Sequence, residues 1–282
     1  MTLVVLAGCT EPIDLQSDGM EPQLVISGTL STNPGYQYIT VAQTGNYFDL
    51  ELPYDVDATE VRINGEKLIH DGTGTYSLGD NFAAVEGKRY DLEVWIDFDR
   101  DGVDECYTAT TTVPYHRDLS SLTLESVMPS SPPDVPFLLV AGIDDQVGED
   151  YYGASLSING DLYSNRILRY CVMTLDISAQ DGEPVRYPLT DWIIYESLTW
   201  DNGATYDLYC GDRLTVELQT LSKEYHKYLT DAKTEKNQQF PLFSGPRGNV
   251  EGNIEGALGI FGSYACSRRT VIIPDCKGLP KR

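Results

Sequence analysis

The stretch LTVELQTLSKEYHKYLTDAKTEKNQQFPLFSGPRGNVEGNIEGALGIFGS, residues 214–263, organises the chain. Its first residues alternate apolar and polar side chains from Leu214 to Gln219, which predicts a strand. Ser222 then offers a side-chain oxygen to the free N–H groups of a new helix, predicted near residues 222–236. Four side chains share one apolar face of that helix: Tyr225, Tyr228, Leu229 and Ala232. We expect the helix to lie over a core made otherwise of strands.

The second part of the stretch is rich in glycine, with six glycines between Gly245 and Gly262. Glycine allows backbone angles and close approaches that other residues do not. This composition disfavours a helix. We expect a segment that turns repeatedly and packs closely.

Short strands separated by turn signals fill the rest of the chain. Asn64-Gly65 and Asn159-Gly160 are each typical of a two-residue hairpin whose central residues have positive φ. Tyr90 to Ile96 alternates apolar with polar residues, so one face should be buried. Six or seven short antiparallel strands predict a mainly β fold, with an N-terminal immunoglobulin-like or prealbumin-like β-sandwich over residues 21–115. Residues 116–282 are predicted to form a second β-rich domain that carries the helix.

The order of motifs behind the helix is distinctive. F-P-L-F-S-G-P (240–246), N-V-E-G-N-I (249–254) and G-A-L-G-I-F-G (256–262) follow one another. With the L-A-G-C-T-E-P-I start and the V-I-S-G-T-L-S-T strand at 25–32, this order resembles a large family of Bacteroidota lipoproteins whose shared domain has no assigned function. The resemblance covers nearly the whole chain. It implies an outer-membrane location and genes often encoded beside TonB-dependent receptors, and it carries over no catalytic residues.

The N-terminus suggests a lipid anchor. Leu6-Ala7-Gly8-Cys9 resembles a bacterial lipobox, in which the cysteine is acylated and becomes the new N-terminus. The apolar run before it is short and lacks Lys or Arg, which we interpret as a start placed too far downstream. The alternative is a short apolar N-terminus with a chance cysteine. We expect residues 1–20 to be signal remnant, lipobox and tether, with a covalent lipid on Cys9.

Charge restricts the class of partner. The 282 residues carry a net charge of −23, spread along the chain. Such a field repels phosphate backbones and anionic lipid, so nucleic-acid binding is disfavoured and membrane attachment should be through the lipid alone. Cationic ligands, metal ions or a basic protein surface fit better.

Six cysteines are present, and setting Cys9 aside leaves an odd number. Cys266 with Cys276 is the first candidate disulfide, and Cys171 with Cys210 the second. The alternative for each pair is that the cysteines are small buried apolar residues.

An acidic loop between two predicted strands could hold calcium. Residues 97–105 fit D-x-D-x-D-G-x-x-E, in which alternate carboxylates converge while a glycine tightens the turn. The expected oxygen ligands are Asp97, Asp99, Asp101, the carbonyl of Val103, and Glu105. The helices and twelfth-position Glu of a helical calcium hand are missing, so a β-hairpin loop is expected. The alternative is an acidic tip that keeps an edge soluble.

Aromatic residues provide a candidate partner or ligand site. Nineteen Tyr and three Trp include one cluster in the second domain: Trp192, Tyr195, Trp200, Tyr206 and Tyr209. Such side chains offer flat, partly polar surfaces for sugars, peptides or proteins. The alternative is that they are ordinary strand residues.

No catalytic motif is legible in the sequence, and the three histidines are scattered. We therefore expect a non-enzymatic, lipid-anchored outer-membrane protein that binds a TonB-dependent nutrient receptor. The acidic residues after Cys9 resemble a signal for export to the cell surface. The alternatives are an accessory enzyme that processes carbohydrate or peptide, and a structural envelope component.

Overall fold

The computed structural model describes residues 22–45, 54–126, 137–163, 172–175, 182–194, 197–199, 205–237 and 250–275. The strands of the first half are β1 (Leu24–Ser31), β2 (Tyr38–Gln43), β3 (Tyr54–Asp55), β4 (Glu60–Ile63), β5 (Glu66–Lys67), β6 (Ile69–His70), β7 (Thr75–Ser77), β8 (Arg89–Ile96) and β9 (Glu105–Thr112). The elements of the second half are β10 (Leu119–Ser126), β11 (Phe137–Ile143), β12 (Tyr151–Ile158), β13 (Asp161–Tyr163), β14 (Met173–Leu175), β15 (Val185–Ile194), β16 (Ser197–Thr199), β17 (Thr205–Asp207), β18 (Arg213–Leu221), α1 (Lys223–Asn237) and β19 (Leu258–Ile272). The predicted mainly β fold with a single short helix is confirmed.

One sheet of ten strands connects both halves of the chain. Its order is β13-β12-β18-β19-β1-β2-β7-β6, with β14 also beside β12 and β3 beside β2. At its middle β1 pairs with β19, from Val25 opposite Leu258 to Ser31 opposite Tyr264. This pair is parallel, whereas only antiparallel strands were expected. The first and last strands of the described chain are therefore neighbours, and main-chain hydrogen bonds join the two halves.

Two smaller sheets complete two hydrophobic cores with the shared sheet. The four-stranded sheet β5-β4-β8-β9 contributes Val61 and Val94 to a core with Ile26 of β1. The three-stranded sheet β10-β11-β15 contributes Leu139 to a core with Val216 of β18. The molecule is thus two β-sandwiches side by side with one sheet in common.

The final strand crosses the boundary expected at residue 115. The core of the first sandwich draws its residues from 24–113, together with Ile254, Phe261 and Ala265 from the end of the chain. The second core contains residues from 119 to 218 and Ile273. Phe261 has no solvent exposure, so the first sandwich depends on a side chain supplied from the far end of the sequence.

The glycine-rich segment is described from residue 250 onwards, and this part does not consist only of repeated turns. Its second part is the regular strand β19, so the expectation of repeated turning was wrong there. The expectation of close packing was right, because a Cβ on Gly259 would lie 1.9 Å from the carbonyl oxygen of Ile26 and one on Gly252 would lie 1.6 Å from that of Gly259. These glycines let three backbone segments approach one another.

Asn253, in the motif N-V-E-G-N-I, fastens this segment to the sheet. Its side-chain Oδ1 accepts from the N–H of Phe261 at 2.8 Å, and its Nδ2 donates to the Phe261 carbonyl at 2.9 Å. Nδ2 also donates to the carbonyl of Thr110 in β9. The side chain thereby provides the hydrogen bonds of a neighbouring strand, and the motif serves the fold.

Several local predictions were accurate, although the Ser222 hydroxyl, expected to cap the helix, accepts from the N–H of Ser263. Asn64 and Gly65 have φ of 51° and 79°, and Asn159 and Gly160 have φ of 54° and 102°, so both hairpin predictions are confirmed. The buried face expected in β8 is present. Helix α1 matches the predicted helix, and its Leu229 and Ala232 are buried.

Cys266 is a free thiol in the described part of the chain. Its Sγ lies 3.5 Å from the Thr32 hydroxyl, and burial raises the pKa of the thiol. The predicted Cys266–Cys276 disulfide stays a prediction, because its second cysteine is not described. Cys276 and Cys171 lie outside the described residues.

Candidate functional site

A polar groove of about 820 Å³ lies on the face of the shared sheet that points away from the two cores. It arises from the strand alternation. On β1 the side chains of Leu24, Ile26 and Leu30 face the core, while those of Ser27, Thr29 and Ser31 face the groove. On β18 Thr215, Glu217 and Gln219 do the same. Strands from both halves of the sequence therefore line one concave polar surface, which we call the polar groove.

An ion pair forms the floor of the polar groove. Glu217 lies opposite Ser155 on one neighbouring strand and opposite Arg268 on the other. Its Oε2 accepts from Nε of Arg268 at 2.6 Å and from Nδ2 of Asn33 at 2.7 Å, and its Oε1 accepts from Nε2 of Gln219 at 2.8 Å. Glu217 is only 8% exposed. The carboxylate is thus fully engaged, and its charge is balanced by the guanidinium.

Gln219 carries the most informative atom of the floor. Its side chain is 3% exposed, and its Oε1 has no hydrogen-bond partner among the described residues. A buried acceptor left without a donor costs about 1–3 kcal/mol. Gln219 lines the groove, so a ligand donor that reached this acceptor would restore the missing hydrogen bond.

Two tyrosines form one wall of the polar groove. The rings of Tyr36 and Tyr38 are 5.4 Å apart between centroids, and they are 44% and 46% exposed. The Tyr36 hydroxyl donates to Asp71 at 2.7 Å, and this hydrogen bond raises the pKa of Tyr36. The hydrogen bond fixes the first ring, against which the second one leans.

Helix α1 forms another part of the wall. Tyr225 of the helix and Tyr264 of β19 both line the groove. The helix can lie this close because residue 262 is glycine, where a Cβ would be 2.7 Å from the Tyr225 ring. Burial, and then the negative charge of Glu217, raise the pKa of Tyr264. Tyr264 therefore keeps its proton at neutral pH and can act as a hydrogen-bond donor.

The acidic loop lies where the sequence placed it, at the tip of the hairpin between β8 and β9. The structure brings together one carboxylate oxygen from each of Asp97, Asp99, Asp101 and Glu105, all within 4.8 Å of one another. Ligands on opposite sides of a calcium ion are about 5 Å apart, so this spread suits the ion. Val103 follows in the same loop, and its side chain is 64% exposed.

The hydrogen bonds of the loop leave room for a cation. Asp97 Oδ2 accepts from the N–H of Gly102, and Asp101 Oδ1 accepts from that of Val103. The other oxygen of Asp97 is buried and has no hydrogen-bond partner among the described residues. The four carboxylates are therefore suited to Ca²⁺, which stays a prediction.

We expect Ca²⁺ to raise the melting temperature. At about 10 mM Ca²⁺, a site with a dissociation constant of about 0.1 mM adds about 2.7 kcal/mol of stability, or roughly 5–10 °C in a chain of this size. Asp99→Ala combined with Asp101→Ala should abolish the rise in differential scanning calorimetry. The matched control, Glu66→Ala with Asp161→Ala, removes the same charge from exposed positions outside the loop and should retain it. Equal shifts in both double variants would show that the loop is only a solvated tip.

The predicted aromatic cluster is described only in part. Trp192 lies in β15 and Tyr206 in β17, where the backbone alone is described, and Tyr195 and Trp200 lie outside the described residues. Tyr209 is partly buried, and its N–H donates to Asp212 at 2.9 Å. Tyr209 does not line the polar groove. The role of these five residues in binding stays a prediction.

Sequence reasoning did not identify the polar groove. The only available signal was the polar half of the alternation in β1 and β18, which is also the pattern of an ordinary wet sheet face. What turns it into a groove is the pairing of β1 with β19, a contact between the two ends of the sequence.

Comparison with models of known protein families identifies the family of the chain. The family model described as "Domain of unknown function (DUF4249)" matches residues 10–270. The chain belongs to this family. The match includes both sandwiches, the polar groove, the acidic loop and the segment around Asn253. No curated protein matches the chain. Among the described residues no helix is both long enough and apolar enough to cross a bilayer.

Proposed function

We propose that this member of the family is a non-enzymatic binding protein that holds a small polar ligand in the polar groove. The observation that carries the proposal is the groove itself, with about 820 Å³ of space above a floor of fixed polar side chains. Ligand sites are concave and largely preformed, and they contain a few well-placed polar groups. The sheet provides the rigidity, because strands β12, β18, β19, β1 and β2 beneath the groove each have neighbours on both sides.

The setting we propose is the outer membrane, with the chain anchored by lipid on Cys9 and positioned beside a TonB-dependent receptor in nutrient uptake. This part rests on the lipobox and on the resemblance described in the sequence analysis. A tethered protein needs only modest affinity for its receptor, because confinement to one membrane raises the effective concentration. The Trp192–Tyr209 region is the proposed receptor contact.

Ligand capture tests the binding function. Immobilised protein is exposed to yeast extract, washed, and eluted for identification of small molecules by mass spectrometry. Ser157→Trp places a large ring on the groove face of β12 and should abolish retention, whereas Thr123→Trp, exposed on β10, should not. Recovery of the compound unchanged supports binding. Its conversion by the purified protein, lost on mutating one acid, would establish the accessory-enzyme alternative instead.

Membrane extraction tests the setting. The protein purified from solubilised membranes should carry an acylated N-terminal Cys9 and should bring a TonB-dependent receptor with it. Replacing Trp200 and Tyr206 with Ala should weaken that co-purification without changing the melting temperature. A mature chain that retains residues before Cys9 would contradict the anchor, and an unaffected receptor yield would contradict the contact.

A further inference from the structure

The polar groove, whose role as a binding site is the proposal above, also contains information about the class of ligand. One acceptor on its floor lacks a hydrogen bond. This is the Oε1 of Gln219, which is buried and accepts no hydrogen bond from the described residues. The amide nitrogen of the same side chain is committed to Glu217, which fixes the orientation of the amide. A ligand that satisfies the floor must therefore offer an O–H or N–H group.

The charges of the floor are already balanced. Glu217 receives hydrogen bonds from Asn33, Gln219 and Arg268, and the guanidinium of Arg268 lies against the same carboxylate. The Arg268 side chain is 57% exposed and places its Nε and one terminal nitrogen on Glu217, so an anionic ligand could reach its remaining N–H groups only beside that carboxylate and in a chain of net charge −23. A cationic ligand would have to displace the guanidinium from the carboxylate. The floor therefore favours a ligand without net charge.

Hydroxyl groups and tyrosine rings dominate the remaining surface. Ser27, Ser155 and Thr215 can each donate and accept a hydrogen bond, which suits a ligand whose groups do both. The exposed ring of Tyr38 offers an apolar plane beside them. A sugar combines hydroxyl groups with flat faces of C–H bonds and so matches both features.

A peptide is a poorer match. Extended peptides are commonly held by main-chain hydrogen bonds to a free sheet edge. The polar groove lies on a sheet face at β12, β18, β19, β1 and β2, which are each paired on both sides, and it reaches the end of the described strand order only at Leu162 of the three-residue strand β13. The groove therefore cannot form the row of main-chain hydrogen bonds by which a sheet edge binds peptides of many different sequences.

From these features we infer that the polar groove binds an uncharged carbohydrate, with a sugar hydroxyl donating to Oε1 of Gln219 and a sugar ring lying against Tyr38. In this assignment Glu217 and Arg268 orient Gln219 and keep the floor neutral. The serine and threonine hydroxyls complete the contacts to the sugar.

A glycan microarray carrying neutral and acidic oligosaccharides tests the inference directly. The full-length protein should bind a set of neutral glycans, and isothermal titration with the best of them should give a measurable dissociation constant. Gln219→Met keeps the length of the side chain but removes the acceptor, together with the N–H group that donates to Glu217, and we expect at least tenfold weaker binding. Tyr38→Ala should weaken binding by a similar factor. Tyr54→Ala is the matched control, because Tyr54 is 44% exposed and lies outside the groove.

The outcomes separate this inference from the proposed function. Binding only to acidic glycans, or to no glycan at all, overturns the assignment of an uncharged carbohydrate. Suppose that the capture experiment then retains a peptide or another metabolite, with retention abolished by Ser157→Trp. In that case the groove is still a binding site, and only the inferred class of ligand was wrong. If Gln219→Met and Tyr38→Ala leave the binding of neutral glycans unchanged, the sugar binds elsewhere and the inference fails. Melting curves of each variant, with Tyr38→Ala changing only an exposed side chain, exclude misfolding as the cause.

Discussion

Replacing Gly259 with alanine is expected to lower the free energy of unfolding by about 4 kcal/mol, near the upper end for a single substitution. Two causes add. The residue has φ of +108°, which costs a residue with a Cβ roughly 1–2 kcal/mol. In addition, the new Cβ would lie 1.9 Å from the Ile26 carbonyl oxygen. That atom belongs to the backbone of a paired strand, so β1 or β19 must move.

Urea denaturation followed by circular dichroism measures this effect, and Gly72→Ala provides a matched control. Gly72 has φ of +109°, almost the same value, but a Cβ there meets no atom within 4 Å. The control should lose only the backbone cost, roughly 1–2 kcal/mol. If the two variants lose equal stability, the close approach of Gly259 to Ile26 is not costly, and our explanation of the glycine-rich strand is wrong.

Features that depend on neighbours in sequence could be predicted from the chain alone. The alternation in β8, the hairpins at Asn64-Gly65 and Asn159-Gly160, and helix α1 are all specified by side chains within a few positions. The acidic loop belongs to the same group, since its carboxylates lie two residues apart in a hairpin turn. In each case the side chains that determine the local conformation lie within the same short segment that adopts it.

Features that depend on the two ends of the chain could not be predicted in this way. Gly259 and Gly262 suggest turns when the sequence is read locally. Their role is instead to leave space, because a Cβ at Gly259 would clash with Ile26 and one at Gly262 with the Tyr225 ring. Both clashing residues are distant in sequence, so the local pattern does not reveal them. The polar groove has the same origin. Thr29 and Glu217 each lie on a polar strand face, and only the β1–β19 pairing places them on one surface. The candidate binding site is therefore a product of topology, and no contiguous motif encodes it.

The same topology makes a prediction about residues 21–115, the N-terminal sandwich expected from the sequence. Expressed alone, this fragment should not fold cooperatively. It would lose the parallel partner of β1, and the space filled by Phe261 and Ala265 in its core would be empty. Removing a buried phenylalanine side chain alone costs about 3–5 kcal/mol, which is comparable with the whole stability of a small domain.

Joining residues 250–275 to the fragment should restore folding. A short Gly/Ser linker from residue 115 suffices, because Asn253 Nδ2 donates to the Thr110 carbonyl and the Glu255 N–H donates to that of Thr108, both in β9, which ends at Thr112. Thermal unfolding and amide proton dispersion in NMR spectra distinguish the two fragments. The joined fragment carrying Phe261→Ala should lose about 4 kcal/mol, whereas Ile272→Ala, 59% exposed on the same strand, should lose far less. Cooperative unfolding of residues 21–115 without the added segment would show that the first sandwich is independent of β19. In that case the polar groove would be a contact between two separate domains rather than the face of one continuous sheet.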